Sequence, residues 1–262
     1  MTTSSDILNR MISTAEKAGS FIREERKNFS YGNVEVKGLN DLVSYVDRGA
    51  EEIIVNDLSK IVPEAGFIVE ENTIDSRKEL NWIVDPLDGT TNFIHGIPCY
   101  AVSIALEKKG EIIAGVVYEV SRDERFSAEK GKGSFLNGSP IKVSERKTLS
   151  ESLIATGFPI YNFTRLEQYL GALKFFMQNT HGLRRIGSAA SDLCYLACGR
   201  VDAFFEYNLN PWDVAAGALI VKEAGGVVND FSKGNNWLFG KEISASNPLL
   251  EEEFNTAIKK FF

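Results

Sequence analysis

Two aspartates, Asp85 and Asp88, stand three residues apart around Pro86, directly after the apolar run Trp82-Ile83-Val84. Bulky, β-prone residues make that run a strand. Both acids therefore sit where a strand ends and Gly89-Thr90-Thr91 turns toward a helix. Four more acids stand out because each opens or closes an apolar element: Asp47, Glu70, Glu71 and Asp213. Taken alone, Asp213 reads as a helix N-cap, and Asp85 and Asp88 as turn acids. Neither local reading explains why so many apolar elements end in carboxylates. If several of them meet, their repulsion must be relieved, because two unit charges 4 Å apart repel by about 1 kcal/mol even in bulk water. Protonation and bound cations are the remedies. Hard oxygen donors at Asp-x-x-Asp spacing, with no histidine or thiolate in the set, favour Mg²⁺ over zinc. Free amides at Gly89-Thr90-Thr91 make an anion site where the helix begins. Metal ligands beside a phosphate cradle point to metal-assisted phosphate hydrolysis or transfer, and the spacing alone names no substrate.

Other chemistries lack their parts. The chain has two histidines, His95 and His181, and no G-x-S-x-G, so a serine or cysteine triad is not expected. There is no G-x-x-x-x-G-K-[ST] loop, and Gly131-Lys132-Gly133 reads as a hairpin turn. Three cysteines without a C-x-x-C, including Cys194 and Cys198 four apart in a helical pattern, read as small apolar residues and fit a reducing cytoplasm. A formal net charge of −7 argues against a broad nucleic-acid surface. No basic-then-apolar leader opens the sequence, and no apolar run approaches the roughly 20 residues that span a bilayer.

The elements that must position the acids follow from periodicity. Helical spacing predicts a helix over 5–27 and a second over 41–60, which carries Asp47. Short strands over 66–69 and 82–85 then deliver Glu70, Glu71, Asp85 and Asp88. Strand-like segments over 100–107, 111–120 and 124–129, separated by turn residues, predict an antiparallel meander. From about residue 150, strands over 152–155, 183–186 and 202–206 alternate with helices over 164–178, 188–198 and 212–224. The polar stretch 145–151 is the expected boundary. It divides a metal-binding α+β half, 1–148, from an α/β half, 149–262, that completes the active site. The stretch is short, so the halves are expected to form one unit.

Glu70-Glu71, W-I-V-D-P-L-D-G-T-T-N-F at 82–93 and W-D-V-A-A-G at 212–217 together resemble the inositol monophosphatase family. The resemblance runs from Lys37 and D-L-V-S-Y-V-D at 41–47 through E-A-G-G at 223–226. It is closest to the bacterial inositol-1-monophosphatase type over G-L-R-R-I-G-S-A-A at 182–190 and G-R-V-D-A-F-F-E at 199–206. Leu87 and Ser44 stand where isoleucine and threonine are common. The resemblance implies an α-β-α-β-α layered sandwich, two or three Mg²⁺ ions, Li⁺ sensitivity and a homodimer. It implies one ion held by Glu70, Asp85 and the Leu87 carbonyl, a second by Asp85, Asp88 and Asp213, and a weaker third leaning on Glu70. Asp47, Glu70 and Thr90 would carry the catalytic roles, with Thr90 oriented by Asp47. Gly89 and Thr90 would hold phosphate, while Ala189, Glu206 and Asp213 face the ring. Lys37, Glu71 and Arg184 are further candidates near the site; Arg184 and Arg185 would face either an anion or the dimer interface. The expected activity is Mg²⁺-dependent hydrolysis of inositol monophosphate, a small phosphorylated polyol. The alternatives are fructose 1,6-bisphosphate, histidinol phosphate or a 3′-phosphonucleotide on the same fold, or a regulatory binding role.

Overall fold

The computed structural model describes residues 4–30, 32, 34–38, 41–71, 74, 76–160 and 162–262, and stacks them as helix, sheet, helix, sheet, helix. Helices α1 (Ser4–Asn28) and α2 (Tyr45–Ile61) form the first layer. Met11, Ala15, Ala18 and Ile22 of α1 recur every three to four residues and are fully buried with Val46, Ala50 and Ile54 of α2. Beneath them lies a seven-stranded sheet in sequence order: β3 (Gly66–Val69), β4 (Leu80–Asp88), β5 (Ala101–Lys108), β6 (Glu111–Glu119), β7 (Glu124–Glu129), β8 (Ser134–Leu136) and β9 (Ser139–Pro140). It is the expected meander, antiparallel except that β3 and β4 run parallel.

The middle layer holds α5 (Ala189–Ala197) and α6 (Pro211–Glu223). The second sheet is mixed and five-stranded, in the order β11 (Gly182–Arg184), β10 (Leu153–Thr156), β12 (Ala203–Tyr207), β14 (Glu242–Ser246), β13 (Val227–Asn229). Helices α4 (Leu166–Asn179) and α7 (Glu251–Ile258) cover its far face, packing Tyr169, Phe176 and Phe254 around Phe205 of β12. Cys194 is buried in the middle layer and Cys198 packs beside it, both as free thiols.

One expected element differs. Residues 41–44 are not the first turn of a helix but a strand, β2 (Asp41–Ser44), paired antiparallel with β1 (Val34–Gly38). The reason is a cap. Ser44 has extended backbone angles (φ −129°, ψ 170°), accepts from the Val46 N–H, and donates its own N–H to Asp47 at 2.8 Å. This reciprocal pairing starts α2 at Tyr45, because an N-cap residue lies outside the helical conformation.

Candidate active site

Strand alternation carries three acids into the middle layer. In β3, Phe67 and Val69 face the α1–α2 core and Ile68 faces the other way. In β4, Trp82 and Val84 face α1–α2 while Ile83 faces the middle layer. Period-two pleating therefore turns Glu70 and Asp85 to the middle-layer face. The parallel register Val69↔Val84 sets them side by side at their strand ends. From the opposite sheet, Phe205 and Tyr207 of β12 face α4 and α7, whereas Phe204 faces the middle layer. Glu206 follows the parity of Phe204 and looks back across the gap.

Helix α6 enters between the sheets. Ser103, cross-strand partner of Asp85, donates to the Trp212 carbonyl at 3.1 Å and ties the first turn of α6 to β5. The N-cap of α6 is Asn210, not Asp213, which lies three residues later and closes the capping box by accepting from the Asn210 N–H at 2.6 Å, leaving a second oxygen to the cavity. Oxygens of Asp85, Asp88 and Asp213 lie within 4.8 Å of one another. A register irregularity between Asp85 and Asp88 lets both reach this point from one strand. Asp85 accepts from the Leu87 N–H at 2.9 Å.

Thr90 opens α3 (Thr90–His95), with its hydroxyl 2.9 Å from Asp47 Oδ1 and 3.0 Å from the Leu87 carbonyl. With one proton to give, it donates to one of these at a time. Gly89, before it, has φ +93°, and a Cβ there would lie 3.1 Å from both the Cys99 and Gly187 carbonyls. Glycine is required on both counts.

The cavity, of about 120 Å³, is lined by Glu70, Asp85, Leu87, Asp88, Gly89, Thr90, Ala189, Glu206 and Asp213. Their charges do not sit comfortably together. Burial, then the charges of Glu70, Asp88 and Asp213, hold the Asp85 carboxyl well above the usual range. Burial and the Asp213 charge do the same to Glu70, and burial raises Asp47 against its hydrogen bonds from Ser44 and Thr90. Asp213 is pushed to about 7 by burial and by Asp88. Asp88 reaches about 6, burial being partly offset by the Ser188 hydroxyl, the Ala190 N–H and the Arg185 charge. Without a cation, these carboxyls hold protons more tightly than free acids do. An oxygen-only, strongly anionic donor set with converging atoms fits a hard divalent cation, which would replace those protons.

Other expected residues fall outside this group. Arg184 is exposed, its guanidinium bonding the Leu183 carbonyl, and Arg185 lines the cavity instead, stacked over Phe158 at 5.5 Å. Glu71 does not line the cavity, and its N–H donates to the Glu51 carboxylate. The Lys37 side chain lies outside the described residues. His95 is exposed and does not line the cavity.

Several contributors were not singled out by the linear pattern. Ser188 and the Ala190 N–H donate to Asp88 Oδ2 at 2.6 and 2.7 Å, so the start of α5 grips the acid that ends β4. Asn92 donates to the Cys99 and Ile186 carbonyls at 2.8 and 2.9 Å and so ties α3 to the segment before α5. Asp192, one turn along α5, is buried with neither carboxyl oxygen hydrogen-bonded among the described residues. Burial and the Glu206 charge raise its carboxyl well above the usual range. Only Ser188 was open to anticipation, as the residue before a small-residue helix start.

The scaffold is thus a five-layered α+β fold that holds a carboxylate-lined cavity between its sheets. The chain belongs to the inositol monophosphatase family, whose sequence pattern matches residues 4–261. It is 42% identical over 258 residues to the inositol-1-monophosphatase of Mesorhizobium japonicum, covering 98% of this chain and 97% of that protein. A putative Nus factor SuhB of Neisseria meningitidis serogroup B is 45% identical over 243 residues, covering 92% and 93% respectively. The crystal structure of the extragenic suppressor protein suhB from Bartonella henselae superposes with a TM-score of 0.92 at 45% identity, covering 98% of this chain and 99% of that one.

Proposed function

We propose that this protein is a Mg²⁺-dependent phosphomonoesterase that hydrolyses inositol monophosphate to inositol and phosphate. One observation carries the reading: Asp85, Asp88 and Asp213 converge in the cavity that Thr90 opens and Glu206 lines. Glu70, Asp85 and the Leu87 carbonyl would hold one ion and Asp85, Asp88 and Asp213 another, with a third resting on Glu70. Bound there, Mg²⁺ supplies an acidified water and charge neutralisation at the leaving oxygen. Thr90 Oγ1 accepts a hydrogen bond from the attacking water while its own proton lies toward Asp47 Oδ1. The raised affinity of Asp47 for a proton suits it to take that charge up. Gly89 and Thr90 present first-turn amides, which have no partner inside a helix, to the phosphate oxygens. Glu206, Ala189 and Asp213 face the polyol, where a carboxylate accepts from adjacent hydroxyls. No covalent phosphoenzyme is needed, and displacement runs in line. The reading includes Li⁺ inhibition, a homodimer, a cytoplasmic setting, and halves 1–148 and 149–262 that meet at the cavity and act as one unit. Among the described residues no helix is long and apolar enough to cross a membrane.

Phosphate release from inositol 1-phosphate, with and without Mg²⁺, tests this beside fructose 1,6-bisphosphate, histidinol phosphate and 3′-phosphoadenosine 5′-phosphate. Strong Mg²⁺-dependent release from the inositol ester is expected. Faster release from another ester would keep the metal chemistry and overturn the substrate.

The Nus-factor name of a 45% identical relative favours one second reading, a binding role on this scaffold. The net charge of −7 then directs attention to a protein partner rather than to nucleic acid. Asp85→Asn separates the two readings: hydrolysis should collapse in the folded variant, and a pure binding role should survive it.

A further inference from the structure

Gly157 directly follows β10 and lines the cavity. Its φ is not positive, so backbone conformation does not call for glycine here. What calls for it is Glu206. A Cβ built on Gly157 would lie 2.0 Å from the Glu206 Cδ, 2.0 Å from Oε1 and 2.1 Å from Oε2. The whole carboxylate occupies the volume that any other residue's side chain would fill. Register explains why: β10 and β12 are parallel neighbours with Thr156 opposite Phe205, so Gly157 and Glu206 are the next pair along. On adjacent parallel strands such a pair points to the same face. The missing side chain lets the glutamate lean across its neighbour.

The Arg185 charge favours that carboxylate but does not bond it. Among the described residues no donor bonds to Glu206, whose acceptor capacity is left facing the cavity. The Gly157 side of the contact, by contrast, is pinned. Its carbonyl accepts from the buried Tyr169 hydroxyl, and Thr156 Oγ1, with one proton to give, lies 3.3 Å from it and 2.7 Å from the Phe205 carbonyl. Tyr169 is locked among Phe205, Tyr207 and Phe262. A methyl group at 157 has no room to retreat and displaces the carboxylate.

We propose that Gly157 is a specificity-determining residue: the seat it leaves empty fixes where the Glu206 carboxylate meets the hydroxyls of the substrate ring. The inference rests on the reading of the cavity as a polyol-phosphate site. Glycine at 157 and the acid at 206 then act as one recognition unit, the first setting position and the second accepting hydrogen bonds.

The test is a cycle of Gly157→Ala, Glu206→Ala and the double variant in the full chain with Mg²⁺. Inositol 1-phosphate is compared with p-nitrophenyl phosphate, which has no ring hydroxyls. Gly157→Ala should lower the ratio of kcat/KM for the inositol ester to that for the nitrophenyl ester by about tenfold or more, mostly through KM. In the Glu206→Ala background the same substitution should leave the ratio unmoved. Equal loss on both esters, or an undiminished effect without Glu206, would overturn the proposal. Thermal melting reads the same coupling without substrate: Gly157→Ala should lower Tm beside Glu206 and much less beside Ala at 206. If the wild type ignores the inositol ester, the polyol reading fails on that result alone, and the melting cycle still decides whether Gly157 seats Glu206.

Discussion

Bringing the metal-free protein from about pH 5 to about pH 8 should weaken it, and Mg²⁺ should cancel most of that loss. The perturbation acts on the cavity acids. Asp88 is raised to about 6 and Asp213 to about 7, against an unfolded value of about 3.9. The folded chain therefore holds these protons more tightly than the unfolded chain does. That contribution is complete below about pH 4 and is lost as the pH rises through the folded values. Between about pH 5 and pH 8, one pKa unit being 1.36 kcal/mol, Asp88 would lose roughly 1 kcal/mol and Asp213 roughly 3 kcal/mol if each acted alone. They do not act alone, and both are only partly buried where they line the cavity, so the expected combined loss is about 2 kcal/mol. For a chain of this size that is roughly 4–8 °C in Tm.

The assay is thermal unfolding at both pH values, once with a chelator and once with saturating Mg²⁺. Groups elsewhere titrate equally in both series and cancel in the difference. The Mg²⁺-induced rise in Tm should be larger at the higher pH by roughly 4–8 °C. A rise that is equal at both pH values, or larger in acid, would refute the idea that buried carboxylates exchange protons for the cation.

Two further substitutions probe the supports rather than the ligands. Ser188→Ala removes the 2.6 Å hydrogen bond to Asp88 and should raise the Mg²⁺ concentration for half-maximal activity by about tenfold or more; an unchanged Mg²⁺ titration would show that Asp88 needs no such anchor. Asp192→Asn keeps the shape of a buried carboxyl whose oxygens have no hydrogen-bond partner among the described residues. Because burial raises this carboxyl, its stabilising neutral form is lost as the pH rises, so the variant should gain more Tm over wild type at about pH 8 than at about pH 5. A gain of a few degrees is expected, corresponding to about 1–2 kcal/mol. The same difference at both pH values would mean that Asp192 does not titrate in this range.

The converging acids were legible because each stands at the end or the start of an element whose local pattern is plain. Three apolar residues before Asp85 announce a strand, two-residue alternation sets the face of Glu70 and Asp85, and a helix start brings Asp213 inward. What could not be read is whatever depends on which strand lies beside which. Ser188 and Asp88 are separated by 100 residues and meet only because α5 packs against β5 and β6. Arg184 and Arg185 differ by one position, and nothing in a Leu-Arg-Arg-Ile run says which one turns to the cavity. Residues 41–44 carry apolar spacing that suits a helix as well as a strand, and the Ser44 cap, a matter of two hydrogen bonds, decides it. Gly157 is the sharpest case. In the sequence it is one of 22 glycines, in a Thr-Gly-Phe-Pro context that reads as a turn. Its reason for being glycine lies 49 residues away, on a neighbouring strand whose register no local pattern sets. Chemistry-bearing residues are thus announced by their own surroundings, whereas the residues that aim them are specified by pairing between elements, where a one-residue slip would reverse every face.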